Sequence, residues 1–160
     1  MKKLLVLFML LSFNVFAGEQ RFSGDVLPRF MALKANKINA RVGPNVMYPV
    51  KYVYTKKFLP VVVINEYYGW YQIKDVNGDL SWVYKSYLTS KPYAMTQKDG
   101  VYLYEKPKMT ADILAKVNKG IIFSVDKCKD NFCEVKTSYM GNVFEGYILE
   151  DELYGINLRK

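Results

Sequence analysis

The sequence of 160 residues contains no histidine, and this absence excludes several common classes of enzyme. Histidine is the usual general base near neutral pH and the commonest transition-metal ligand, so Ser-His-Asp, Cys-His and zinc-hydrolase mechanisms are excluded. A glycosidase that uses only carboxylates stays open chemically, because it needs just two acidic side chains. The acidic residues, however, lie at scattered loop positions and are better interpreted as solvated turn residues: Asp75, Asp79, Asp99, Asp112 and Asp130. We therefore expect no catalytic site and no cofactor.

Cysteine is also scarce, and the chain has just Cys128 and Cys133, with four residues between them. Two cysteines without any histidine make a poor zinc site, so no metal site is expected. In an oxidising compartment such a pair can close across the mouth of a hairpin, provided that the Cα atoms come within about 7 Å. We expect a disulfide that stabilises one turn, because a short loop contributes less stability than a long one.

Long apolar runs are absent except for Leu4–Phe16, which is shorter than the ~20 residues that span a bilayer. Lys2 and Lys3 precede this run, and Val15-Phe16-Ala17 provides a small-residue cleavage box. We expect residues 1–17 to be a signal peptide rather than a transmembrane anchor. The mature protein is then expected to be periplasmic or secreted, with no stable membrane insertion after cleavage.

From Phe30 onward the chain consists of short apolar stretches rich in Val, Ile and Tyr, separated by turn signals. No stretch has a helical period over ten residues, which predicts an all-β fold. After a short linker at residues 89–92 the pattern restarts at Tyr93. We expect a flexible lead-in at residues 18–29, one domain at 30–89 and a second, more degenerate domain at 90–160.

The two domains are related by a repeat, because a shift of 62 positions superposes Trp70 on Phe132 and Ile73 on Val135. Beyond the turn at residues 138–143 the shift becomes 65, which indicates a three-residue insertion at one hairpin tip.

Strand alternation predicts which side chains face the core. The residues expected inside are Ile73, Ile121, Phe123, Val125, Cys133 and Val135. The residues expected outside include Trp70, Gln72, Lys74, Ile122, Phe132, Glu134 and Lys136. The strongest hairpin signal is Asn77-Gly78, because both residues tolerate the positive φ of a type I′ turn.

Several segments of the first repeat together resemble a known family. They are Ile38-Asn39-Ala40-Arg41-Val42-Gly43-Pro44, Tyr48-Pro49-Val50, Gly69-Trp70-Tyr71-Gln72-Ile73 and Trp82-Val83. This arrangement resembles bacterial SH3-like (SH3b) domains, above all the paired SH3 modules of secreted proteobacterial proteins. The second repeat has Glu105-Lys106-Pro107 in place of Arg41-Val42-Gly43-Pro44 and resembles the family less closely.

The resemblance implies two tandem barrels of five to seven strands each, and a role in binding cell-wall material or envelope proteins. In eukaryotic SH3 domains, which are similar in fold, the first tryptophan of the third strand and a tyrosine in the terminal 3-10 turn line a groove for proline-rich peptides. Those roles carry over to Trp70 and Tyr87. The second repeat has Phe132 and Glu152 at these places, so its groove is expected to be degraded.

Aromatic residues are concentrated around these positions, and rings suit either sugars or extended peptides. The expected ligand-binding residues are Tyr48, Tyr68, Trp70, Trp82, Tyr84 and Tyr87, with Tyr67 beside them. The alternative is that most of these rings complete the cores of two small barrels, which need large side chains.

The net charge of +8 favours anionic partners, although a lysine-rich surface can equally serve solubility. The export signal disfavours nucleic acid as a partner. Two functions stay open at this point. The protein is expected to be a non-catalytic module that binds peptidoglycan or its stem peptides; the alternative is a scaffold that binds another envelope protein.

Overall fold

A computed structural model of the protein describes residues 26–156. The expected signal peptide at 1–17 and most of the lead-in at 18–29 lie outside the described residues. The last residue of that lead-in, Arg29, already belongs to the first strand. No helix in residues 26–156 has the length and apolar character needed to cross a membrane.

Seven antiparallel strands form the first domain. They are β1 (Arg29–Leu33), β2 (Ile38–Arg41), β3 (Val50–Tyr54), β4 (Pro60–Tyr67), β5 (Trp70–Lys74), β6 (Leu80–Tyr84) and β7 (Leu88–Thr89). Their order in the sheet is β3-β2-β6-β5-β4-β1-β7. A 3-10 turn at Lys85–Tyr87 joins β6 to β7.

The second domain repeats this arrangement strand for strand. Its strands are β8 (Tyr93–Thr96), β9 (Val101–Tyr104), β10 (Ile113–Val117), β11 (Ile122–Lys129), β12 (Phe132–Tyr139), β13 (Asn142–Leu149) and β14 (Leu153–Tyr154). Their order is β10-β9-β13-β12-β11-β8-β14, with a 3-10 turn at Glu150–Glu152. The prediction of an all-β fold with two tandem small barrels is confirmed.

Each domain has its own apolar core, built mainly from alternate residues of β-strands. The first core contains Leu33, Ile38, Ala40, Val61, Val63, Tyr71, Ile73, Val83 and Leu88. The second contains Ala94, Val101, Leu103, Phe123, Val125, Cys133, Val135, Ile148 and Leu153. The expected inward orientation of Ile73, Phe123, Val125, Cys133 and Val135 is therefore confirmed.

Two of the orientations expected from strand alternation were wrong. Ile121 is 37% exposed because it precedes β11 and so lies outside the alternating pattern of that strand. Its backbone N–H and carbonyl are hydrogen-bonded to Thr96 instead. Phe132 was expected to face outward but is only 8% exposed, because the ring of Tyr104 from β9 packs against it.

The hairpin expected at Asn77-Gly78 is present, but its turn is not of type I′. Gly78 has a φ of 89°, whereas Asn77 does not have a positive φ. The carboxylate of Asp75 accepts hydrogen bonds from the backbone N–H groups of Asn77 and Asp79, at 2.9 and 3.0 Å. These bonds favour a longer turn that begins at Asp75, whose carbonyl accepts the N–H of Gly78 at 3.0 Å.

Two-residue turns of the type I′ pattern occur at three other hairpins, where both central residues have positive φ. They are Tyr68–Gly69, Asp130–Asn131 and Met140–Gly141.

The expected disulfide between Cys128 and Cys133 is confirmed. The two residues are directly opposite each other on β11 and β12, and their Cα atoms are 4.0 Å apart. The bridge therefore closes the hairpin whose turn is Asp130–Asn131.

Aromatic rings also connect the two barrels. Phe58 stacks on Tyr93 with ring centroids 4.1 Å apart, and Phe30 meets Tyr154 edge to face at 5.1 Å. Burial, with a smaller contribution from the negative charge of Asp75, raises the pKa of Tyr154 to about 12. Each barrel thus shields side chains of the other from solvent at this contact.

Candidate functional site

A surface groove of about 500 Å³ lies on the first domain. Its lining comes from the start of β5, the end of β6, the following 3-10 turn, and β2 with the segments on either side of it. The lining residues are Lys37, Asn39, Arg41, Asn45, Val46, Trp70, Tyr84 and Tyr87. Its volume is in the range of sites that bind small ligands or parts of peptides.

Three aromatic rings line the groove, and backbone hydrogen bonds hold the segments that carry them. Trp70 and Tyr84 are directly opposite on β5 and β6, and their rings meet edge to face at 5.5 Å. The N–H of Lys85 donates to the carbonyl of Gly69 at 2.9 Å, which ties the 3-10 turn to the hairpin before Trp70. The carbonyl of Tyr87 accepts a hydrogen bond from the N–H of Lys34 at 2.9 Å. A preorganised aromatic surface loses little entropy when it binds a ligand.

Cations and amides line the rest of the groove. Ile38 and Ala40 of β2 are buried, so Asn39 and Arg41 face outward. Arg41 donates from Nη1 to the carbonyl of Tyr48 at 2.7 Å, which orients its guanidinium. A guanidinium has five N–H donors, so this bond leaves donors that can meet a ligand. No carboxylate lines the groove, and it therefore favours anionic groups.

Of the six residues expected to bind ligand, the structure brings together Trp70, Tyr84 and Tyr87. Tyr48 lies outside the groove lining, and its ring packs so closely on Gly43 that a Cβ there would be 2.6 Å from it. Tyr68 is exposed at a hairpin turn, where its ring contacts Tyr67 edge to face at 4.6 Å.

Trp82 is half-buried on β6, opposite Arg41 of β2, and it does not line the groove either. Sequence reasoning did not assign the polar lining residues to the site. The signal for two of them was present, since Asn39 and Arg41 alternate with the apolar residues Ile38 and Ala40.

The family profile described as bacterial SH3 domain matches this chain twice, over residues 34–89 and 97–155. The chain belongs to the bacterial SH3 domain family. Each match lies within one of the two sheets and begins just after its first strand, β1 or β8, so the barrels are named SH3 domain 1 and SH3 domain 2 below. No match was found among curated proteins.

Among solved structures, SH3 domains 1 and 2 together are similar to NlpC2 and NlpC1 from Trichomonas vaginalis. Each comparison has 20% sequence identity and a TM-score of 0.36. The matches cover 79% and 82% of this chain, and 48% and 47% of the NlpC2 and NlpC1 chains. The chain thus spans about half the length of those structures.

Near the corresponding place, SH3 domain 2 has a pocket of about 450 Å³ whose lining, Asn131, Leu149, Glu150 and Asp151, contains no aromatic ring and no cation. Phe132, the counterpart of Trp70, is buried against Tyr104, with the ring centroids 5.9 Å apart. Tyr104 takes the place of Arg41 in SH3 domain 2. Arg41 is the residue of β2 that pairs with β6, and Tyr104 is the residue of β9 that pairs with β13. A ring in place of a guanidinium therefore removes a cation from this place and covers Phe132.

The charge at the 3-10 turn is also reversed between the domains. SH3 domain 1 has Lys85–Tyr87 there, whereas SH3 domain 2 has the acidic Glu150–Glu152. Glu152, the counterpart of Tyr87, pairs with Lys98 at 3.0 Å, and this hydrogen bond raises the pKa of Lys98. The acidic 3-10 turn of SH3 domain 2 would therefore repel an anionic ligand, whereas the turn of SH3 domain 1 carries no acidic residue.

Within residues 26–156, no three Cys, Asp or Glu side chains come together as a candidate metal site. The groove offers contacts for binding, and its lining contains neither a carboxylate nor a thiol that could act as a general base or nucleophile.

Proposed function

We propose that this protein is a non-catalytic binding module of the bacterial envelope, and that SH3 domain 1 binds the acidic stem peptides of peptidoglycan. The observation that carries the proposal is the composition of the groove: three rings, two cations and no carboxylate. Rings pack against the extended backbone of a peptide, while Lys37 and Arg41 bind its carboxylates. The expected signal peptide supports a location in the periplasm, where this polymer lies.

SH3 domain 2 has a supporting role in this proposal rather than a second binding site. Its acidic 3-10 turn would repel a stem peptide, and Tyr104 covers Phe132, the counterpart of Trp70. We therefore propose one peptide-binding site per chain.

The alternative is a scaffold function in which another envelope protein occupies the same region. The loop after β2 favours this alternative, because it exposes apolar side chains next to the groove: Val42, Val46, Met47 and Tyr48. Such a loop would extend the contact with a folded protein beyond what a short stem peptide needs.

The test is cosedimentation with purified peptidoglycan sacculi at low and high ionic strength. The wild-type protein should bind, and Trp70→Ala and Arg41→Gln should each weaken binding by about tenfold or more. Tyr87→Glu, which introduces the residue of SH3 domain 2, should have a similar effect because it places a negative charge beside the peptide.

Tyr102→Ala provides a matched control. Tyr102 is an exposed aromatic residue on β9 of SH3 domain 2, so its removal should not change binding to sacculi. Binding that is lost equally for all proteins at high ionic strength would indicate nonspecific adsorption. If the wild-type protein does not bind sacculi but captures a folded envelope protein through Trp70, the scaffold function replaces the proposed one.

A further inference from the structure

The hairpin of β12 and β13 projects beyond the barrel of SH3 domain 2. Its pairing runs from Phe132 opposite Leu149 to Tyr139 opposite Asn142. The neighbouring strand β11 pairs with β12 only as far as Lys136 within the described chain. The equivalent strands of SH3 domain 1, β5 and β6, have five residues each instead of eight. The insertion expected from the sequence therefore forms a two-stranded extension, here called the hairpin tip (residues 137–144).

Met140 at the end of the hairpin tip occupies a position that disfavours methionine in two ways. Its φ is 49°, a left-handed conformation that suits Gly, Asn or Asp, and its side chain is 82% exposed. The turn at Asp130–Asn131 has residues that suit this conformation. Tyr68 has a similar φ, but its ring contacts that of Tyr67 edge to face at 4.6 Å. The exposed Met140 breaks both local preferences, which is typical of functional positions.

More apolar side chains surround Met140 in the hairpin tip, and two lysines line the groove beside the tip. Tyr139, Val143 and Phe144 of the hairpin tip are all exposed. Tyr139 and Phe144 also line an apolar groove of about 510 Å³, which continues along β10 and β11. The charged residues among its lining are Lys56 and Lys116, and no acidic residue lines it. Lys56 comes from SH3 domain 1 and reaches this groove because it donates to the carbonyl of Gly120.

We propose that the hairpin tip and the lysines of the adjacent groove bind the surface of an anionic phospholipid bilayer. The apolar tip side chains enter the headgroup region, where a tyrosine ring and a methionine both find apolar contacts. Lys56 and Lys116 attract the negative headgroups. A folded protein partner needs about 800 Å² of surface on each side, and a narrow two-stranded tip supplies little of that. The attachment is peripheral and goes beyond the peptide binding proposed for SH3 domain 1.

The test is cosedimentation with two kinds of vesicle, one containing phosphatidylglycerol and phosphatidylcholine, the other phosphatidylcholine alone. The proteins begin at Gly18, so that the apolar segment Leu4–Phe16 makes no contribution. Wild type should bind the anionic vesicles, with affinity that falls as ionic strength rises. Met140→Asp should weaken binding by about tenfold or more, because it places a charge where the tip meets lipid. Replacing Lys56 or Lys116 with Gln should weaken it by about fivefold each.

Met109→Asp is the matched control, because Met109 is an exposed methionine (62%) that lies outside the hairpin tip and the groove. It should bind vesicles like wild type. Thermal unfolding provides a second measurement: Met140→Asp should not lower the Tm, since Asp tolerates a positive φ better than Met. Trp70→Ala should bind vesicles normally, which separates this proposal from the one for SH3 domain 1.

Equal vesicle binding by wild type and Met140→Asp would overturn the proposal. Failure of the wild-type protein to bind either vesicle would also overturn it, and would leave a protein as the occupant of this surface.

Discussion

Trp70 and Phe132 occupy the same place in the two SH3 domains, but the structure gives them different environments. Trp70 is half-buried and lines the open groove, whereas Phe132 is enclosed against Tyr104. Replacing each by alanine should therefore have opposite effects on peptide binding and on stability. Trp70→Ala should remove peptide binding at a modest cost in stability. Phe132→Ala should cost much stability and leave peptide binding unchanged.

The expected magnitudes follow from the space that each ring vacates. Phe132→Ala leaves an enclosed cavity and should lower the free energy of unfolding of SH3 domain 2 by about 3–4 kcal/mol. Water can enter the space left by Trp70, so Trp70→Ala loses apolar contact without the cavity contribution, about 1–2 kcal/mol. For a domain of this size a difference of about 2 kcal/mol corresponds to about 10 °C in Tm.

Urea denaturation can follow the two domains separately. Both tryptophans of the chain, Trp70 and Trp82, are in SH3 domain 1, so tryptophan fluorescence reports that domain. Far-UV circular dichroism reports both domains. Phe132→Ala should shift the dichroism transition ahead of the fluorescence transition, and in Trp70→Ala the remaining Trp82 still serves as the probe. Phe132→Leu, a milder variant, allows the sacculus assay to be done with SH3 domain 2 folded.

Two results would refute this reasoning. If Trp70→Ala costs as much stability as Phe132→Ala, the indole ring is a core residue and the groove is not its place of function. If Phe132→Ala costs less than about 1 kcal/mol, the ring of Phe132 is not enclosed by its neighbours in SH3 domain 2.

Three further predictions concern stability. Replacing Cys128 and Cys133 by serine should lower the free energy of unfolding by about 2 kcal/mol, as expected for a short loop, and an unchanged urea midpoint would contradict this. Because burial raises the pKa of Tyr154 to about 12 from 10.0, its contribution to stability is complete below about pH 10 and is lost as the pH rises towards 12. Tyr154→Phe should reduce this alkaline loss, measured by urea midpoints from pH 9 to about 12; some loss should remain because the pKa of Tyr54 is raised similarly. Phe58→Gly suits the positive φ of that position but removes the stacking between the barrels, so the fluorescence and dichroism transitions should separate; coincident transitions would show that the stacking does not couple the domains.

Much of the fold could be predicted because it depends on alternation within single strands. Phe123, Val125 and Val135 are buried as expected, since each lies well inside a regular strand. The prediction was wrong for Ile121, which precedes its strand, and for Phe132, which a ring from another strand covers. Alternation within one strand carries no information about side chains that arrive from elsewhere in the barrel.

The candidate site was predictable only in part, for the same physical reason. The aromatic residues Trp70, Tyr84 and Tyr87 stood out as single residues, and they do lie together in the groove. The cations Lys37 and Arg41 did not stand out, because lysine and arginine are common on any exposed surface. Lys37 and Arg41 lie beside the aromatic residues only because β2 is next to β6 in the sheet. The positions of the strands along the sequence do not reveal that order.

The two barrels have the same strand order, but they differ in the lining of their grooves and in the length of one hairpin. SH3 domain 1 has an open cationic groove and short β5 and β6 strands. SH3 domain 2 has an acidic 3-10 turn at the equivalent place and an extended apolar hairpin tip. Surface loops and turns of a β-barrel tolerate sequence changes and insertions, so each domain could acquire its own binding surface without loss of the fold. The two proposals therefore depend on different residues in different domains. Trp70→Ala and Met140→Asp should show opposite patterns with sacculi and with vesicles, and a variant that loses both kinds of binding would indicate a single shared surface instead.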